Sequence, residues 1–162
     1  MQYPVLDWIR ETWAGQLVRD VFWLSPMLEG LHFVGMTLLV GGICIVDLCV
    51  LGLVRDMPAM RLNGFLPWSL VGFGINFISG LFLFAAAPYA FAFNRAFQMK
   101  MGCIILAGIN ALWFRHCIQA SLRRGHRSLY ESRLAKLTSG MSLLFWLTVI
   151  VCARLIAFVP NE

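Results

Sequence analysis

Three nitrogen-bearing side chains, His32, Lys100 and Arg154, each fall inside a long apolar run of this chain. By helix-rise arithmetic His32 lies about one turn into its run and Lys100 about one turn into another, while Arg154 stands roughly five residues from the end of a third. All three then sit at one depth. An imidazole and two cations gathered in apolar surroundings repel one another and lose charge unless an anionic or metal-containing partner joins them. Glu29, one turn before His32 on the same face, neutralises only one of them. One haem per chain meets the need: its iron takes an imidazole nitrogen, and its two propionates take the lysine and the arginine. Each residue alone has a plainer use. Lys100 and Arg154 are close enough to the interface to snorkel into headgroups, and His32 can hydrogen-bond across helices.

The elements that must position them are transmembrane helices. Of 162 residues, 60% are hydrophobic and 13% charged, with a mean hydropathy of +0.77, which excludes an ordinary soluble domain. Apolar segments near 29–54, 65–89, 98–121 and 137–159 are each long enough to span a bilayer. They leave no room for a soluble domain. The expected fold is all-α, a four-transmembrane-helix bundle occupying residues 26–162. Pro67 is expected in the first turn of the second span, where a missing N–H is harmless.

Before the first span, residues 1–25 have no apolar core behind a basic region and so do not read as a signal peptide. Leu6, Ile9, Trp13, Leu17 and Val21 recur at helical spacing beside Trp8 and Trp23, which predicts one amphipathic helix lying on the membrane surface and broken at Ser25-Pro26. Arg123, Arg124, Arg127, Arg133 and Lys136 crowd the connection between the third and fourth spans, and Arg55 and Arg61 that between the first two. The positive-inside rule turns both toward the cytoplasm and both termini outward. The net charge of +5 is therefore a topology signal, and nucleic acid is not an expected partner.

Other polar residues in the spans are fewer. Gly72, Asn76 and Gly80 form a smooth i, i+4, i+8 strip that suits either close helix packing or a flat porphyrin, which makes Asn76 a cofactor-binding candidate. Asn76 and Asn110 both reach mid-bilayer depth, and the plain reading is a hydrogen bond between the second and third spans. Asp47 is expected to pair with Arg115 or Arg55, proton relay being the sharper alternative. The five cysteines lack Cys-x-x-Cys or zinc spacing and read as free thiols. With His116 and His126 at other depths, three histidines support at most one haem, with Met36 or Met99 as possible second ligands.

Glu29-Gly-Leu-His32-Phe-Val-Gly35 and Phe97-Gln-Met-Lys100-Met resemble the histidine and lysine signature of small four-helix bacterial membrane proteins. These include the haem-associated, oxygen-independent protoporphyrinogen oxidase and the copper-resistance D-type proteins. Val46-Asp47-Leu48, Leu51-Gly52 and Ala107-Gly-Ile-Asn110-Ala111-Leu112 extend a likeness to uncharacterised bacterial inner-membrane proteins over residues 25 to about 115. The resemblance implies His32 as haem ligand, Lys100 as functional cation, and a bacterial inner membrane with periplasmic termini. The expected function is a haem b subunit moving electrons for a partner membrane or periplasmic protein, or within a homo-oligomer. The alternatives are a cofactor-free assembly subunit and a porphyrinogen-oxidising enzyme.

Overall fold

A computed structural model describes residues 3–54, 59–123 and 133–159. Every element in them is helical: α1 (Pro4–Glu11), α2 (Trp13–Asp20), α3 (Leu24–Val50), α4 (Ala59–Ala86), α5 (Pro88–Ala92), α6 (Arg95–Arg123) and α7 (Arg133–Leu155). α3, α7 and the apolar parts of α4 (Pro67–Ala86) and α6 (Arg95–Phe114) are long and apolar enough to cross a membrane. The chain is a multi-pass membrane protein. Leu144, Leu147, Ile109, Leu112 and Phe77 point outward, as a lipid-facing surface requires.

The four long helices pack as two hairpins, α3 with α4 and α6 with α7, joined mainly where α3 meets α7. Small residues set the first contact. A Cβ added at Gly72 would stand 2.5 Å from the Leu39 nitrogen and 2.7 Å from the Gly35 carbonyl oxygen, so the two backbones touch there. Leu39, Val40, Ala107, Trp146 and Val149 form the core between the hairpins. α3 ends on Gly52, whose φ of +79° allows Leu53 N–H to reach back to the Leu48 carbonyl. Cys44, Cys49, Cys103 and Cys152 are free thiols.

The N-terminal segment is two helices where one was expected. Thr12 adopts an extended conformation, with ψ at 151°, and its side chain accepts the Gly15 N–H, which ends α1 and starts α2. Pro26 lies inside the first turn of α3, where its missing N–H costs nothing, so the expected break at Ser25-Pro26 is replaced by bends at Thr12 and at 21–23. Pro67 shifts the other way. α4 begins at Ala59, two turns before the apolar run, and Pro67 falls in its interior.

α1 and α2 fold against the end of the bundle that carries α5. Gly15 brings α2 onto the Ala85 carbonyl, Trp13 meets Phe82 edge-on at 5.8 Å, and Arg19 donates to the Ala86 carbonyl at 3.4 Å. Tyr89 on α5 donates to Asp7 Oδ1 at 2.7 Å. That bond holds the Tyr89 proton on above its ordinary value, so the tie is whole through neutral pH and opens as alkaline pH removes the proton. Tyr89→Phe should therefore accelerate tryptic cleavage at Arg10 and Arg19 several-fold while leaving the bundle intact; an unchanged digestion rate would place the attachment in the α2 contacts alone.

Asn94 fastens the same end. Its Oδ1 accepts the Phe97 N–H as the N-cap of α6, and its Nδ2 donates to the Ile156 and Val159 carbonyls at 3.1 and 3.0 Å, tying the start of α6 to the end of α7.

Candidate functional site

Two of the three nitrogen-bearing residues meet. His32 stands about two turns down α3 from the α5 end, and Lys100 about one and a half turns down α6 from the same end. Lys100 Nζ lies 3.4 Å from His32 Nε2, although its residue is only 8% exposed. α3 and α6 make few close backbone approaches, and the long lysine side chain spans the gap.

The other ring nitrogen is held by a residue the sequence reading did not single out. Ser79 on α4 is fully buried, with its Oγ 3.0 Å from His32 Nδ1 and 2.7 Å from the Ile75 carbonyl. A hydroxyl has one proton, and here the carbonyl takes it, so Ser79 accepts from Nδ1–H. This fixes the imidazole tautomer. Nε2 then carries the lone pair and faces Lys100. The signal for Ser79 was present, because it sits beside Gly80 and three residues after Asn76, next to the small-residue strip.

That strip has two uses in the structure. Gly72 admits α3, and Gly80 admits the His32 ring, whose Cε1 would lie 3.2 Å from an added Cβ. Asn76 donates from Nδ2 to the His32 backbone carbonyl at 2.9 Å. Asn110 instead donates to the Thr138 carbonyl at 2.9 Å. The expected bond between Asn76 and Asn110 is therefore absent. Each amide serves the helix paired with its own, because hairpin partners approach more closely than α4 and α6 do.

Arg154 is not part of this cluster. It is exposed on the last turn of α7, with its guanidinium over the Phe158 ring at 5.4 Å. Glu29 is exposed, Met99 points outward, and Met36 packs against the core below His32. Among the described residues no carboxylate stands within ion-pair reach of Lys100, and no group of three or more His, Cys, Asp or Glu side chains converges. His116 is exposed, while His126 and the side chain of Arg115 lie outside the described residues.

Three rings close the site toward the α5 end. Phe84, Phe91 and Phe97 lie within 5.5 to 6.4 Å of one another, on α4, α5 and α6. Phe97 is one turn from Lys100 and Phe84 just over one turn from Ser79, so the rings lie next to the polar cluster on its α5 side. What remains is a neutral imidazole with its lone pair directed at a buried ammonium. A metal at Nε2 would require the Lys100 side chain to swing aside, which would free Nζ for an anion.

The model of a family of unknown function, DUF6644, matches residues 6–159. The chain belongs to that family. The match runs through all four spans and through the N-terminal helices, so α1 and α2 are part of the DUF6644 unit. Comparison with curated proteins and with solved structures gives no match. The likeness of this DUF6644 chain to the oxidase and the copper-resistance proteins therefore rests on the short histidine and lysine motifs alone.

Proposed function

We propose that the protein is a membrane subunit that binds one haem b through His32 and passes electrons to or from a partner protein. The observation that carries this reading is the contact of His32 Nδ1 with Ser79 Oγ. Ligating histidines donate the other ring N–H to a fixed acceptor, which orients the ring and raises ligand basicity, and Ser79 Oγ takes that part opposite Nε2. Lys100 supplies the second requirement, a buried cation without a carboxylate partner among the described residues, suited to a propionate. The bare Cα of Gly80 lets the ring sit against α4, which holds its orientation. Bound there, haem would supply one-electron chemistry. The residues would do the rest: His32 would hold the metal, Lys100 the acid group, and the phenylalanine triad would cover the α5 side of the site.

The excess of Arg and Lys between residues 121 and 136 supports a cytoplasmic position for that connection, which puts the site in the outer half of a bacterial inner membrane with both termini periplasmic. The exposed aromatics Trp8, Trp13 and Phe22 then face the outer leaflet or a periplasmic partner.

The direct contact between Lys100 and His32 favours a second reading, a cofactor-free subunit in which the pair only joins α3 to α6. Haem titration of the purified protein separates the two. Lys100→Met should weaken haem binding roughly tenfold, as expected for one charge-assisted hydrogen bond. Arg154→Met should leave it unchanged, since Arg154 stacks on Phe158. Equal affinities for wild type and Lys100→Met would remove the lysine from the site.

A further inference from the structure

At the far end of the bundle α3 and α7 enclose a second polar site. Asp47 is only 5% exposed, and its Oδ2 has no hydrogen-bond partner. Ser139 and Ser142, one turn apart on α7, lie beside its carboxylate. Ser139 is 1% exposed, and its Oγ also lacks a partner.

That serine departs from its neighbours. Thr37, Ser69, Ser79, Thr138 and Thr148 all return their hydroxyl to the carbonyl four residues earlier in their own helix. This is the default for a hydroxyl inside a transmembrane helix. Ser139 makes no such bond, and it lies beside Asp47. Two buried polar atoms left without partners are costly in an apolar interior, and an ion ligated by both would relieve that cost.

We propose that Asp47, Ser139 and Ser142 bind a small monovalent cation of the sodium type. A carboxylate and two hydroxyls form an all-oxygen donor set, which suits a hard ion rather than a thiolate-seeking or imidazole-seeking one. One carboxylate balances one positive charge, so a divalent ion would remain under-neutralised. A water molecule would satisfy hydrogen bonds but leave the charge. Among the described residues no lysine or arginine reaches the carboxylate, and the partners expected from sequence, Arg55 and the side chain of Arg115, lie outside them. The site is independent of His32, which lies about four turns away along α3.

The test is thermal unfolding of the detergent-solubilised full chain against sodium concentration, with choline chloride holding ionic strength constant. A hundredfold excess over Kd should raise the midpoint by roughly 5 to 10 °C. Asp47→Asn should lose the sodium response. Ser139→Ala keeps the carboxylate, and should retain the response with an apparent affinity weakened roughly tenfold. A midpoint indifferent to sodium in the wild type would overturn the proposal and assign the counter-charge to a protein cation. A response that survives unchanged in both variants would also overturn it.

Discussion

His32→Ala should yield a folded protein without haem. The substitution removes the imidazole whose Nε2 faces Lys100, and haem binding should fall by roughly 100-fold or more. The fold should persist because Asn76 bonds the backbone carbonyl of residue 32, which alanine retains. Ser79→Ala is the finer version. It leaves the ligand and removes only the acceptor of Nδ1–H, and the expected loss is roughly 10-fold to 100-fold. Haem titration followed by visible absorbance measures both. Full haem occupancy in His32→Ala would show that the axial ligand is another residue.

The second large effect is on stability. Gly72→Val should separate α3 from α4, because the new side chain starts 2.5 Å from the Leu39 nitrogen and 2.7 Å from the Gly35 carbonyl. Both obstacles are helix backbone and cannot rotate away. Overpacking of this kind costs about 3 kcal/mol or more. Asn76, Ser79 and Gly80 travel with α4, so displacement also loosens the hold on His32. Gly74 provides the control. Nothing lies within 4 Å of an added Cβ there, and Gly74→Val should be nearly neutral. Thermal unfolding in detergent gives the comparison, and equal midpoints for the two variants would contradict the close contact at Gly72.

How much of this was legible in the sequence follows from what counting can measure. Depth is one-dimensional. Helix rise and the position of an apolar run place His32 and Lys100 at one level without any knowledge of packing, and the structure brings those two together. Azimuth is not accessible in that way. Counting assigns Arg154 the same depth, yet it lies on the exposed last turn of α7 over Phe158. Asn76 and Asn110 share a level too, but which helix each meets depends on the pairing of α3 with α4 and α6 with α7.

Small polar residues were the harder class to read. Serine and threonine occur in spans mostly as self-satisfied residues bonded to their own helix, so composition does not distinguish Ser79 or Ser139 from Thr148. Only three-dimensional neighbours separate them. The N-terminal break shows the same limit. Leu6 to Val21 kept helical spacing across Thr12, while the cap that Thr12 offers to Gly15 ended one helix and began another.

The most direct test of the central claim is a reduced-minus-oxidised visible spectrum of the wild-type protein, purified from cells with ample haem supply, with haem quantified by pyridine extraction. The account predicts a b-type difference spectrum at about one haem per chain. A folded, colourless protein would contradict it and leave the contact between His32 and Lys100 as a link between helices.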